Sequence, residues 1–138
     1  MKSLVLLLYL FFMVPNTILT IEDYRWEKRI VITNFSTRKL DSILEGKAKS
    51  IDERKLVFVE FEHDEYIKNT EQDELDPVGF LDKLSGNSQN PEWVLIGLDG
   101  GIKASGMKQD FSLNKIYRLI DQMPMRQSEI RGDNTLRR

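Results

Sequence analysis

Cysteine is absent from the 138 residues, and histidine occurs once, at His63. The first absence excludes disulfides, thiol redox chemistry, thiolate metal sites and lipid attachment through an N-terminal cysteine. The second excludes a multi-histidine metal centre on one chain. Strong net charge is also lacking. The formal charge is −2, which argues against general nucleic-acid binding, since that needs a basic face. No apolar run is long enough to span a bilayer. The longest, Leu4 to Val14, is eleven residues against the roughly 20 a spanning helix needs.

That run has Lys2 before it and Pro15 after it, the pattern of an export signal. We expect a leader over residues 1–20, cleaved after Thr20, a domain over 21–131 and a flexible tail over 132–138. The implied location is periplasmic or extracellular, with no stable membrane span once the leader is gone. The mature chain is long enough for one hydrophobic core without staples.

The charge is arranged in blocks. The stretches Arg25 to Lys55 and Ile102 to Arg138 are basic, and Glu60 to Asp76 is strongly acidic. We expect the acidic block to form a solvated loop. Asn69, Glu71 and Asp73 alternate as in a calcium loop. However, Glu74 stands where the turn glycine belongs and Phe80 where the last carboxylate belongs, so no metal site is assigned.

Ile30 to Phe35 and Leu56 to Phe61 are nearly continuous apolar runs, suited to strands buried on both faces. Between them, Thr37 to Ile51 places Leu40, Ile43, Leu44, Ala48 and Ile51 on one helical stripe. Strand, helix, strand implies a right-handed parallel crossover. Asp76-Pro77 starts a second helix ending near Gly86. Trp93 to Leu98 and Ile102 to Ser105 are two further strands, joined by a primed hairpin turn at Asp99-Gly100 with Gly101 extending it. Ser112 caps a last helix bearing Leu113, Ile116, Tyr117, Ile120 and Met123, which Pro124 stops. The order β-α-β-α-β-β-α predicts an α/β, thioredoxin-like fold: a four-stranded mixed sheet, order 4-3-1-2, with helices on both faces.

Three segments carry a family resemblance: Arg25-Trp26 ahead of the first strand, Asp99-Gly100-Gly101 in the hairpin, and Asp121-x-Met123-Pro124-Met125-Arg126 at the close. Together they resemble family 4174 of the domains of unknown function. The resemblance implies a thioredoxin-like domain of bacterial exported proteins and of animal extracellular proteins, including sushi-repeat-containing ones. It carries over no catalytic residue and no cofactor.

Thioredoxin-like enzymes place a nucleophilic cysteine at the start of the first helix. This chain has Ser36, Thr37, Arg38 and Lys39 there. A serine hydroxyl neither ionises near neutral pH nor forms a disulfide, so thiol redox activity is excluded. Free amides at a helix start, with Arg38 and Lys39 beside them, suit an anion or a partner's carboxylate; the plain alternative is a cap with two solvated cations. Pro91, ahead of the third strand, lies near the position where many thioredoxin-like proteins carry a cis-proline. His63 sits among Glu62, Asp64 and Glu65, which suits a general acid or base or one ligand of a metal; the plain alternative is an exposed side chain in an acidic loop. Trp26 is expected to cover the core edge and Arg25 to pair with a carboxylate. Arg131-Gly132-Asp133 matches an adhesion tripeptide, but three common residues in a charged tail carry little information. We expect a non-catalytic module that binds another protein or a cell-surface polymer. The rival is a cysteine-independent hydrolase using His63 or an acid of the acidic block.

Overall fold

The computed structural model describes residues 17–137. Of the expected leader, residues 1–16 lie outside them. At the centre is β1 (Arg29–Asn34), buried on both faces because its residues are β-branched or otherwise apolar almost throughout. It pairs in parallel with β2 (Leu56–Glu62), with Ile30 opposite Val57 and Ile32 opposite Val59. On its other side it pairs antiparallel with β4 (Trp93–Ile96), which pairs with β5 (Ile102–Gly106). These four strands stand in the order expected.

Among the described residues, however, the sheet has five strands, not four. The order is β3-β2-β1-β4-β5, with β3 (Glu65–Asn69) added antiparallel along the outside of β2. The stretch expected as a solvated loop is therefore partly an edge strand. Its charges misled because an edge strand buries little, and charged side chains there also discourage pairing with other chains. The β2–β3 connection is the two residues His63 and Asp64, both left-handed at φ 52° and 64°, with Glu62 paired to Glu65. That is a primed hairpin turn. The turn expected at Asp99-Gly100 is different. Gly97 and Gly101 close a longer loop, and only Gly100 is left-handed, at φ 79°.

The helix expected over Thr37 to Ile51 is two: α1 (Thr37–Leu44) and α2 (Ala48–Asp52). Gly46, at φ 69°, turns the chain between them. Beyond β3, α3 (Val78–Ser85) starts where Asp76 Oδ1 accepts from the Val78 amide. Ser112 caps α4 (Leu113–Asp121) by accepting from the Lys115 amide. Pro124 does not end the chain's helical structure. It is the first residue of α5 (Pro124–Leu136), where its missing N–H costs nothing. Of the flexible tail expected over 132–138, the residues up to Leu136 are helical.

The sheet separates two apolar clusters. Tyr24, Phe80 and Leu84 cover Ile30, Ile32, Val57 and Val59 on one face. Leu40 of α1 and Ile116 and Ile120 of α4 cover Val31, Phe58, Trp93 and Leu95 on the other. The indole of Trp93 satisfies its N–H on the Met107 carbonyl at 3.1 Å. Among the described residues no helix is long and apolar enough to cross a membrane.

Candidate functional site

A cleft of about 570 Å³ opens where the carboxyl ends of β1 and β2 meet the start of α1. Ligands of open α/β sheets usually bind outside the carboxyl ends of the strands. Three chain segments form its walls: Asn34 to Ser36, Glu62 to Asp64, and Asn90 to Glu92. Leu81, Leu84 and Ser85 of α3 and Lys108 complete it. The β2–β3 turn is fixed in place by Asn34. Its side-chain amide donates to Asp64 Oδ1 at 2.6 Å, and its carbonyl oxygen accepts from the Asp64 amide at 3.1 Å.

The structure brings Ser36, His63 and Pro91 to this one cleft. Ser36 is the exposed N-cap residue of α1, and no side-chain hydrogen bond caps that first turn. Arg38 and Lys39 are exposed on α1 and are not among the cleft's walls. Thr37 opens the helix; its side chain lies outside the description. Pro91 is buried, its peptide bond is trans, and Asn90 before it is left-handed at φ 49°. Glu92 accepts from the Lys108 amide at 2.8 Å, which ties the far wall together. His63 is exposed, and among the described residues no side-chain hydrogen bond joins it to Ser36. A nucleophile–base pair is not formed in this arrangement.

The residues of the family resemblance lie elsewhere and hold the frame. Arg25 stacks on Trp26 with its guanidinium 5.8 Å from the ring and approaches Glu22 at 3.8 Å. Trp26 is 55% exposed and left-handed, so it does not seal the core as expected. Its backbone amide donates to the Leu98 carbonyl at 2.7 Å, fastening this turn to the β4–β5 loop. In that loop Asp99 accepts from the Gly101 amide and from Lys103. The Lys103 contact foremost, then the amide, holds its carboxyl below the usual range. Gly101 therefore serves the loop, and Gly100 supplies its left-handed corner.

Asp121 and Arg126 belong to an ion network that the sequence did not reveal. Arg126 donates to Asp121 Oδ1, to the Glu53 carbonyl and to Glu129 Oε2. Glu129 in turn faces Arg29, a fully buried arginine at the start of β1, at 3.3 and 3.4 Å. Met123 packs against the core between them, and Met125 is largely exposed. The only sequence signal for Arg29 was a cation abutting a buried strand.

The calcium-like spacing is also occupied with its own structure. Asn69 accepts from the amides of Glu71 and Asp73 and donates to Tyr66 and to the Asp73 carbonyl. Asp73 accepts from the Tyr24 hydroxyl, and Glu71 pairs with Lys28. Burial first, then Asp73, pushes the Tyr24 hydroxyl well above the usual tyrosine range.

Comparison with curated proteins and with solved structures gave no match. The family model described as Domain of unknown function (DUF4174) matches residues 20–129. The match takes in the Arg25-Trp26 turn, the Asp99-Gly100-Gly101 loop and the Asp121 to Arg126 segment, and the chain belongs to that family.

Proposed function

We propose that this is an exported thioredoxin-like domain that works by binding, with the cleft beside Ser36 and Pro91 as its contact site. The observation that carries this reading is the placement of Ser36. It stands at the α1 start, in a polar-walled cleft, where thioredoxin-like enzymes hold a thiolate. A cleft kept without its thiol retains recognition and loses disulfide exchange. The partner is another envelope or extracellular protein, or a polymer of the cell surface.

One observation favours the rival hydrolase: His63 and Ser36 face the same cleft. The two readings separate on variants. Ser85→Arg, placed on the cleft's α3 wall, should reduce capture of the partner that the native chain retains from envelope extract. His63→Ala should leave that partner bound. Turnover in a broad hydrolase screen, lost in His63→Ala, would replace binding with catalysis. Reduction of insulin disulfides above a boiled control would overturn the exclusion of redox chemistry.

A further inference from the structure

Under α1, on the neighbouring strands β1 and β2, two buried polar side chains find no hydrogen-bond partner among the described residues. Glu60 is 1% exposed, and its Oε2 has no hydrogen-bond partner. Thr33, beside it in the parallel ladder, is fully buried, and its Oγ1 has none either. Lys68 stands directly opposite Glu60 on β3, yet its ammonium goes to Asp41 of α1, at 2.6 and 2.8 Å. An unpaired buried carboxyl is costly unless it is protonated or met by a donor.

Glu60 lines a groove of about 720 Å³ between α1 and β3. Among the described residues, the other carboxylates lining it are Asp41, Glu45 and Asp73, and Lys68 is the one cation among its walls. Tyr66 and Ile67 add an apolar stretch. The groove shares no wall residue with the cleft beside Ser36. Four carboxylates against one ammonium call for more than one positive charge, and the apolar stretch suits a methylene chain between them.

We propose that this groove binds an aliphatic polyamine, with one ammonium donating to Glu60 on the floor and the others facing the rim carboxylates. Desolvation raises the Glu60 carboxyl to about 7, with Lys68 lowering it and Asp41 raising it. Glu45, Asp73 and Tyr66 line the same groove. A cation that binds ionised Glu60 therefore displaces a proton near neutral pH.

The test is titration of the full domain with spermidine, with Mg²⁺ as the control for simple charge screening. The expected result is saturable one-site binding, with amide shifts in α1 and β3 that Mg²⁺ does not reproduce. Affinity should rise about tenfold from pH 6 to pH 8, as a carboxyl titrating near 7 dictates. In the native chain the Glu60 carboxyl carbon should titrate at lower pH when spermidine is present, a readout that needs no variant. Glu60→Gln should weaken binding at least tenfold, while Ser85→Arg and His63→Ala leave it unchanged. Unsaturable shifts spread over the acidic surface, equal shifts with Mg²⁺, or native affinity in Glu60→Gln would each overturn the proposal.

Discussion

Arg54 and Asp121 meet at two points: Nε donates to Oδ1 at 3.0 Å and Nη2 to Oδ2 at 2.7 Å. The Arg54 guanidinium also lies over the Tyr117 ring, 4.1 Å from its centroid. One aspartate thus ties the end of α4 to the turn that leads into β2. From Asp121 the network runs through Arg126 and Glu129 to buried Arg29. Pro124 makes this possible, because starting α5 at that residue brings Glu129 up against the opening of the central strand. The closing motif of the family is therefore a bolt between the last two helices and the first two strands.

Removing that bolt should be expensive at one residue. Arg29 is fully buried and its Nε is already unpaired. Glu129→Ala takes away its carboxylate partner and should destabilise the domain by about 3 kcal/mol in urea unfolding, since an uncompensated buried charge costs that much. Lys55, half-exposed near the same carboxylate, should matter little: Lys55→Ala within about 0.5 kcal/mol. Equal effects from the two substitutions would contradict the network.

Two glycines should respond to alanine with opposite signs. A Cβ on Gly106 would sit 2.9 to 3.0 Å from the Trp93 indole, which has no room to withdraw. Gly106→Ala should cost about 1–3 kcal/mol. Gly132, inside α5, would place its Cβ in open space. Gly132→Ala should stabilise by roughly 0.5–1 kcal/mol through helix propensity. Thermal unfolding of both variants decides the matter.

The Glu60 carboxyl sets a pH dependence of stability. Its pKa rises from 4.5 toward about 7 on folding, so the folded state holds the proton more tightly than the unfolded chain. Below the unfolded value the burial carries no ionisation penalty. Between about 4.5 and 7 stability falls as pH rises, and above the folded value the penalty is complete, at up to about 3 kcal/mol. Glu60→Gln should flatten this component. A native stability curve that rises over the same pH interval, unchanged in Glu60→Gln, would show that burial does not govern this carboxyl.

The residues just ahead of the expected cleavage point are part of the structure. Leu19 donates from its amide to the Glu74 carbonyl and accepts from the Asp76 amide, each at 2.9 Å, and packs beside Leu75. A chain beginning at Ile21 loses both bonds. It should be about 1–3 kcal/mol less stable than one beginning at Thr17. Urea midpoints of the two chains give the answer.

The sequence alone determined that no thiol is present in these residues and the parts of the fold that are local. The missing cysteine needs no coordinates. The apolar runs at Ile30 and Leu56, the Ser112 cap and the Asp76-Pro77 start are each decided by neighbours within a few residues. Tertiary structure decided what depends on distant partners. β3 exists because β2 offers an open edge, so its charged sequence did not betray it. Helix α5 is bolted on by Glu129 and Arg126 facing Arg29 and Glu53, residues up to 100 positions away. Ser36, His63 and Pro91 share a cleft only because β1, β2 and β4 lie side by side. Glu60 becomes a buried, unpartnered acid for the same reason: the fold hands Lys68 to Asp41 and leaves the carboxyl beneath them without a donor.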